Sequence, residues 1–413
     1  MTQGAAEQTR TPTTAEPSWT PRLVALAVTA AVAVSVIYIP QSLLTDVATD
    51  LGVGPGAAGL VATAVQAGYA LGIVALVPLA DRVHPRRQVT VQAVLLAAAL
   101  ALSAVLPTVA AVATGFAVVG LVANIAQVII PAAGRLAPLD RRATTTATIV
   151  GSLSVGIFGG RIVASLLVEA LGWRGVSLGF ALLVLATVPF ARRALRTAEA
   201  PAGAGTSYPR LLLDTVALVR RSPQLRESAL LQFFVFATFN SAWTVMVLHL
   251  TAEPFGWSVR TAGLFGLVGL AAGLTTPLSG RLVDRFGTLP VAGAALAVML
   301  AAMASVVVDA DRLVPFAISM FAATAAGQLH QSAQQNRVLA VDPARAAQAN
   351  TVFMFFVFLG GSAGAFIGPA AYAAGGMSRV GLVCCGLLVL ALAAWTVVVL
   401  RGRRTARREL AAG

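Results

Sequence analysis

Long apolar runs separated by short polar stretches dominate the chain. They fall at about 22–45, 56–79, 88–106, 108–133, 145–170 and 176–193, then at about 228–251, 260–282, 288–308, 312–335, 347–372 and 379–400. A helix needs ~20 apolar residues to cross a bilayer core, so the pattern predicts twelve spans in two sets of six. An even number puts both termini on one side. The expected organisation is a six-helix bundle over 21–193 and another over 228–400. Residues 194–227 would be a linker. In it Ala200-Pro-Ala-Gly-Ala-Gly-Thr-Ser207 has linker composition, and Tyr208 to Arg226 sets Leu and Val against Arg and Asp at helical spacing. That stretch reads either as an amphipathic helix on the membrane surface or as a plain spacer. Residues 1–20 are polar without a signal-peptide pattern and read as a disordered cytoplasmic tail. Residues 401–413 read as a basic tail.

The two sets of six are related. Leu79-Ala-Asp-Arg-Val-His-Pro-Arg-Arg87 follows the second run and Gly280-Arg-Leu-Val-Asp-Arg-Phe-Gly287 the eighth, with Asp81 answering to Asp284 203 positions on, and Arg82 to Arg285. Arg135, Asp140 and Gly159 recur as Arg337, Asp342 and Gly361 at an offset of 202. The repeat makes the fold all-α and integral to the membrane, with two pseudo-symmetric bundles.

Composition agrees and narrows the chemistry. Apolar residues make up 58% of the chain and charged residues 11%, against roughly 25% charge in soluble domains; mean hydropathy is +0.84. All 29 cationic residues are arginine. Without lysine there is no phosphate-loop ATPase and no Schiff-base or pyridoxal enzyme. His84, His249 and His330 lack ligand spacing, so no metal site is expected. Cys384 and Cys385 are adjacent in an apolar run and read as helix filler. No cofactor and no catalytic cluster is implied.

Arginine also sets the orientation. The tails, the linker and the loops after even-numbered spans carry 24 arginines, and the opposite face only Arg174, Arg260, Arg312 and Arg379. Positive-inside topology then puts both termini and both Asp-Arg loops in the cytoplasm, with the chain multi-pass in the plasma or inner membrane. The same topology and the anionic leaflet account for the basic charge without a nucleic-acid partner. In each Asp-Arg loop the carboxylate can accept from helix N-terminal N–H groups, and the arginines can cap carbonyls of a neighbouring helix. Asp81, Arg82, Arg86, Arg87, Asp284 and Arg285 are therefore candidates for a latch that holds the halves together in one state and opens in another.

These residues resemble the major facilitator superfamily of secondary transporters over all twelve spans. Its loop signature, roughly Gly-x-Leu-Ala-Asp-Arg-x-Gly-Arg-Arg, is matched by Leu79, Ala80, Asp81 and Arg82, and by Arg86 and Arg87 after a one-residue shift. Val77 and His84 replace its two glycines. Within the superfamily the chain is most similar to bacterial drug:proton antiporters and sugar-efflux-like permeases. The stretches that carry this are Gln127-Val-Ile-Ile-Pro131, Gly156-Ile-Phe-Gly-Gly-Arg161, Pro254-Phe-Gly256 with Gly263-Leu-Phe-Gly266, and Asn336-Arg337 with Asn350-Thr-Val-Phe-Met354. The Gly-Pro pair of the antiporter motif in span 5 is missing. The resemblance implies a central cavity lined by spans 1, 2, 4, 5, 7, 8, 10 and 11.

Several residues inside the spans stand out. Gly151, Gly156, Gly159 and Gly160 in span 5, and Gly360, Gly361, Gly364 and Gly368 in span 11, offer small-residue faces for close packing. Arg161 is the one charge placed well within a span, at a cost of at least ~2.5–3.5 kcal/mol. It cannot shuttle protons. Two roles remain open, binding an electron-rich ligand group or pairing with an acid near the outer end of span 1; pairing with Asp46 is the expectation. No carboxylate falls mid-span, which leaves Asp46 and His330 as titratable candidates, with a hydrogen-bonded core role the expectation for His330. Gln66, Asn124, Gln127, Gln232, Asn240, Gln328 and Gln334 fall on the cavity set, as do Tyr38, Tyr69, Phe236 and Trp243, and together they describe a neutral, mildly polar, aromatic cavity. The reading is a monomeric carrier, in contact with a small-molecule substrate and lipid, that exports an amphipathic compound in exchange for protons. Uptake or facilitated exchange of a metabolite or sugar is the rival, and a non-transporting sensor a remote one.

Overall fold

The computed structural model describes residues 19–198, 217–342 and 345–412, apart from the side chains of 81, 143, 277 and 403–412. The N-terminal tail and most of the linker, including the stretch read as amphipathic, lie outside the described residues. Everything regular among them is helical.

The helices resolve into the twelve expected spans. Span 1 is Trp19–Ser35 with a short continuation Ile39–Ser42; span 2 is Pro55–Leu76; span 3 is Pro85–Ser103; span 4 is Val109–Val122 with Ile125–Leu136. Arg142–Ala194 holds spans 5 and 6, broken where Gly172 takes φ +63°. Span 7 is Pro223–Thr251; span 8 is bent through Val259–Leu264, Gly266–Gly273 and Thr276–Phe286; spans 9 and 10 are Thr288–Asp309 and Leu313–Leu339. Ala346–Ala412 holds spans 11 and 12, broken at Gly375 and Gly376, where Gly376 takes φ +65°. Gly172 and Gly376 are 204 positions apart and turn the chain at matching places, in a backbone region that side chains avoid.

Each half is packed the same way. Span 1 lies on span 5 and span 7 on span 11. The glycine series explain how. A Cβ at Gly156 or Gly160 would run into Ala31 or Ser35 of span 1, and one at Gly360, Gly364 or Gly368 into the backbone of Phe233, Ala237 or Ser241 of span 7. These glycines let backbones touch, which is how helices associate where lipid removes the hydrophobic driving force. Gly151 has open space beside it and Gly159 meets only its own helix. Those two expected packing positions are not close contacts. Apolar side chains such as Leu182, Phe190, Val308 and Leu390 stay exposed on the outside, as a lipid-facing surface requires.

Across the halves, span 2 meets span 11 and span 5 meets span 8. The second contact is a ladder: Gly263, Gly266, Gly269 and Gly273 leave room for Ser165, Ile162, Phe158 and Ser154. In the first, Gly59 abuts Pro369 and the Tyr69 and Phe358 rings lie 4.3 Å apart. Among the described residues, hydrogen bonds cross where Ser362 Oγ donates to the Thr63 carbonyl at 3.0 Å, Gln41 Nε2 to Asn240 Oδ1 at 2.8 Å, and the Arg260 backbone N–H to Glu169 at 3.2 Å. All three lie from mid-span towards the arginine-poor face.

Candidate substrate cavity and its charged neighbour

The cavity lies between the halves at mid-span and holds about 940 Å³ of space, counting its mouth. Rings and aliphatic groups of Ile157, Phe158, Phe236, Phe239, Met354 and Phe358 make most of the wall. Polar atoms come from Tyr38, Tyr69, Gln127, Gln232, Gln328 and Gln331 with Ser154, Thr276 and Thr324, and among the described residues no charged side chain lines it. Such a wall offers stacking and single hydrogen bonds, the means by which pockets orient amphipathic molecules.

Of the eleven residues expected there, Tyr38, Tyr69, Gln127, Gln232, Phe236 and Gln328 line it. The others sit behind the wall, engaged by neighbours. Gln66 Nε2 reaches the Ile37 carbonyl at 3.4 Å, and Asn124 Nδ2 the Leu121 carbonyl at 2.9 Å where span 4 breaks. Asn240 accepts from Gln41, and Trp243 Nε1 donates to Thr324 Oγ1 at 3.0 Å. Gln334 lies against His330 Nε2 at 3.4 Å. His330 itself is fully buried, with Nδ1 2.7 Å from Gln232 Oε1, the arrangement of a neutral imidazole donating through Nδ1. It is held as a core histidine one layer behind the cavity.

Arg161 departs from the expectation. Its partner is the Gln41 amide oxygen, not Asp46, and its guanidinium carbon lies over the rings of Tyr38 at 4.7 Å, Trp243 at 5.2 Å, Phe158 at 5.3 Å and Phe239 at 5.8 Å. The reason is local: span 1 breaks after Ser35, and the short helix Ile39–Ser42 brings Gln41 into the interior, 2% exposed. Asp46 follows in a separate short helix, Leu44–Asp50, beyond the span. There burial holds its carboxyl above the usual carboxylate range, with Glu169 adding to the effect, and Oδ2 has no hydrogen-bond partner.

The latch candidates lie at the arginine-rich ends. Span 2 closes in the 3₁₀ turn Val77–Asp81, and His84, which replaces a signature glycine, caps span 3 by accepting from the Arg86 N–H at 3.1 Å. Asp284 is exposed in the last turn of span 8, and Arg285 lies 5.1 Å from the Phe286 ring centre. Among the described residues no ion pair joins Arg82, Arg86, Arg87, Asp284 or Arg285 to the other half. Sequence reasoning missed two clusters. Arg337, marked in the sequence as a repeat position and in the Asn336-Arg337 stretch but given no partner, pairs with Glu227 at 2.6 Å, and Arg174 binds Asp50 at 3.0 Å while its Nη1 reaches the Ala104 and Leu106 carbonyls. The available signal for the first was an acid, Glu227, at the start of span 7 beside an arginine, Arg337, that repeats Arg135 at the 202-residue offset.

The comparisons match this architecture. A model of the Major Facilitator Superfamily matches residues 24–365 and again 228–413. A probable transporter of Streptomyces coelicolor, SCO4007, is 33% identical over 386 residues, covering 92% of this chain and 87% of its own. A chloramphenicol resistance protein of Streptomyces lividans is 31% identical over 291 residues, covering 69% and 72%. In fold, the nucleoside transporter NupG superposes with a TM-score of 0.70 at 15% identity, covering 91% of this chain and 98% of its own. A partially occluded, inward-open xylose transporter XylE of E. coli gives 0.70 at 13%, with 91% and 98% covered. With the family model spanning the chain and a relative of this similarity along nearly its whole length, the chain belongs to the major facilitator superfamily and is a multi-pass membrane transporter rather than an enzyme.

Proposed function

We propose that the protein exports a small amphipathic organic compound by alternating access of its two bundles, 21–193 and 228–400, to the mid-span cavity. The observation that carries this reading is the cavity wall: rings and amides from both halves, sealed towards the arginine-poor face by the span 5–8 and span 2–11 contacts. The arginine bias puts the other face in the cytoplasm of a plasma or inner membrane, so in this state the cavity faces the compartment from which export would load it. Similarity to a chloramphenicol resistance protein supports the same direction. The Asp-Arg loops then act as the latch of the opposite, outward-facing state, which fits the exposed Asp284 of the state described here.

Export runs in exchange for protons, with Asp46 the candidate carrier. Its raised acid range keeps it protonated to higher pH than a free carboxylate, and its unpartnered oxygen lies on the arginine-poor side, where protons enter. One observation favours a second reading, facilitated exchange: among the described residues no titratable carboxylate or imidazole lines the cavity. Uptake of a labelled amphipathic antibiotic into inverted vesicles, with and without an imposed proton gradient, tests both. Accumulation that collapses with the gradient is expected; gradient-independent equilibration favours exchange, and no movement at all removes the export reading.

A further inference from the structure

The cavity wall is neutral, but the layer directly behind it is not. Arg161 is 1% exposed, its Nε and Nη1 donate to nothing, and its bonded partner is the neutral Gln41 amide. Among the described residues the ion pairs lie at helix ends and in loops, and none includes Arg161. An arginine side chain does not give up its proton, so among the described residues a whole positive charge sits in the low-dielectric interior without a counter-charge. The four rings around it offer their negative faces, which eases the burial and leaves the net charge unchanged. Three of those rings, Tyr38, Phe158 and Phe239, are themselves cavity wall. The charge is thus separated from the cavity by one ring's thickness.

We propose that the cavity selects organic anions, the bound substrate supplying the counter-charge that Arg161 lacks. This rests on the reading of the cavity as the transport site. The guanidinium carbon lies 4.7–5.8 Å from the centres of the Tyr38, Phe158 and Phe239 rings, so a unit charge stacked on their cavity side would be on the order of 8 Å away. At an effective dielectric near 20 such a pair is favoured, or for a cation disfavoured, by about 30-fold against a neutral molecule of the same shape. The rings and amides of the wall then hold the apolar body, and the anionic head lies on the Tyr38–Phe158 side, where the two free guanidinium donors become reachable by a rotation of either ring. An amphipathic carboxylate is the chemical class that uses every part of this site.

The test uses matched aryl-alkyl series that differ only in the head group: 4-phenylbutanoate, 4-phenylbutanamide and 4-phenylbutylammonium, with their longer-chain homologues. Affinities are measured by calorimetry on the purified full chain, with Gln328→Trp as the variant that fills the cavity. The carboxylates are expected to bind at least tenfold tighter than the amides and the ammonium compounds weakest, with Q328W abolishing binding. R161Q is expected to remove the carboxylate preference and R161K to retain it. Amides or ammonium compounds binding as well as the carboxylates in the parent protein would overturn the proposal and leave the cavity as the site. No binding in any series, or binding indifferent to Q328W, would overturn both. If R161Q does not fold, the ranking in the parent protein decides alone.

Discussion

Asn240→Leu removes the acceptor that ties span 1 to the other half. In the parent protein Gln41 bridges Arg161 and Asn240, and Gln41 and Asn240 are 2% and 0% exposed. Leucine keeps the volume but leaves the Gln41 amide N–H groups buried without a partner. A buried polar group stranded this way costs about 1–3 kcal/mol. The cost falls only on the state with the arginine-poor side shut, since parting the halves there lets water reach Gln41. The equilibrium should therefore shift towards opening on that side by about 5- to 150-fold. Spin labels at Gly56 and Ala374, at the arginine-poor ends of spans 2 and 11, read the shift by double electron–electron resonance, with Cys384 and Cys385 replaced. The long-distance population should grow at the expense of the short one. A distribution unchanged from the parent's would refute the idea that the Gln41–Asn240 bond helps to hold this side closed.

Four further outcomes are expected. Gly364→Val drives a Cβ into the Ala237 carbonyl and should lower stability by about 1–3 kcal/mol, whereas Gly151→Ala, which meets nothing, should leave the melting temperature unchanged or slightly raised. Asp46 is held above its ordinary pKa of 3.8, so the folded state binds its proton more tightly than the unfolded chain. Stability should fall as pH rises from near 4 through the raised value, and Asp46→Asn should flatten that slope in thermal unfolding. Glu227→Gln weakens a charge-assisted bond to Arg337 whose side chains are 12% and 21% exposed and should cost about 1–3 kcal/mol in denaturation. Asp81→Asn should leave folding intact but slow transport if the proposed latch of the outward-facing state uses this carboxylate; unchanged turnover would remove the latch role.

The sequence carried the architecture because membrane spans declare themselves by length and hydropathy, and because the second half repeats the first at a nearly constant offset. Arg161 was conspicuous for the same reason: a lone charge in an apolar run is costly wherever it points. Its partner was not legible. Charge arithmetic favours Asp46, but the break after Ser35 turns Gln41 inward, and a guanidinium can be housed by an amide oxygen and ring faces. The polar residues of the cavity spans were half right for a related reason. A buried Gln or Asn is equally well satisfied facing a ligand or facing a helix behind, and periodicity does not separate Gln127 on the wall from Gln66 behind it. The glycines of span 5 signalled close packing, but not that their partner is span 1 of the same half. The ladder of Gly263, Gly266, Gly269 and Gly273, which joins the halves, was present in the spacing and went unread.

On the proposed orientation, two like bundles enclose a cavity that opens towards the cytoplasm in this state. Gln331 lines that cavity, so Gln331→Cys, in a background without Cys384 and Cys385, can be challenged with a membrane-impermeant maleimide. It should be labelled rapidly in inverted vesicles and hardly at all in right-side-out ones, and adding Asn240→Leu should raise labelling from the outside. Labelling of the resting protein mainly from the outside, or from neither side, would contradict a cytoplasm-facing cavity.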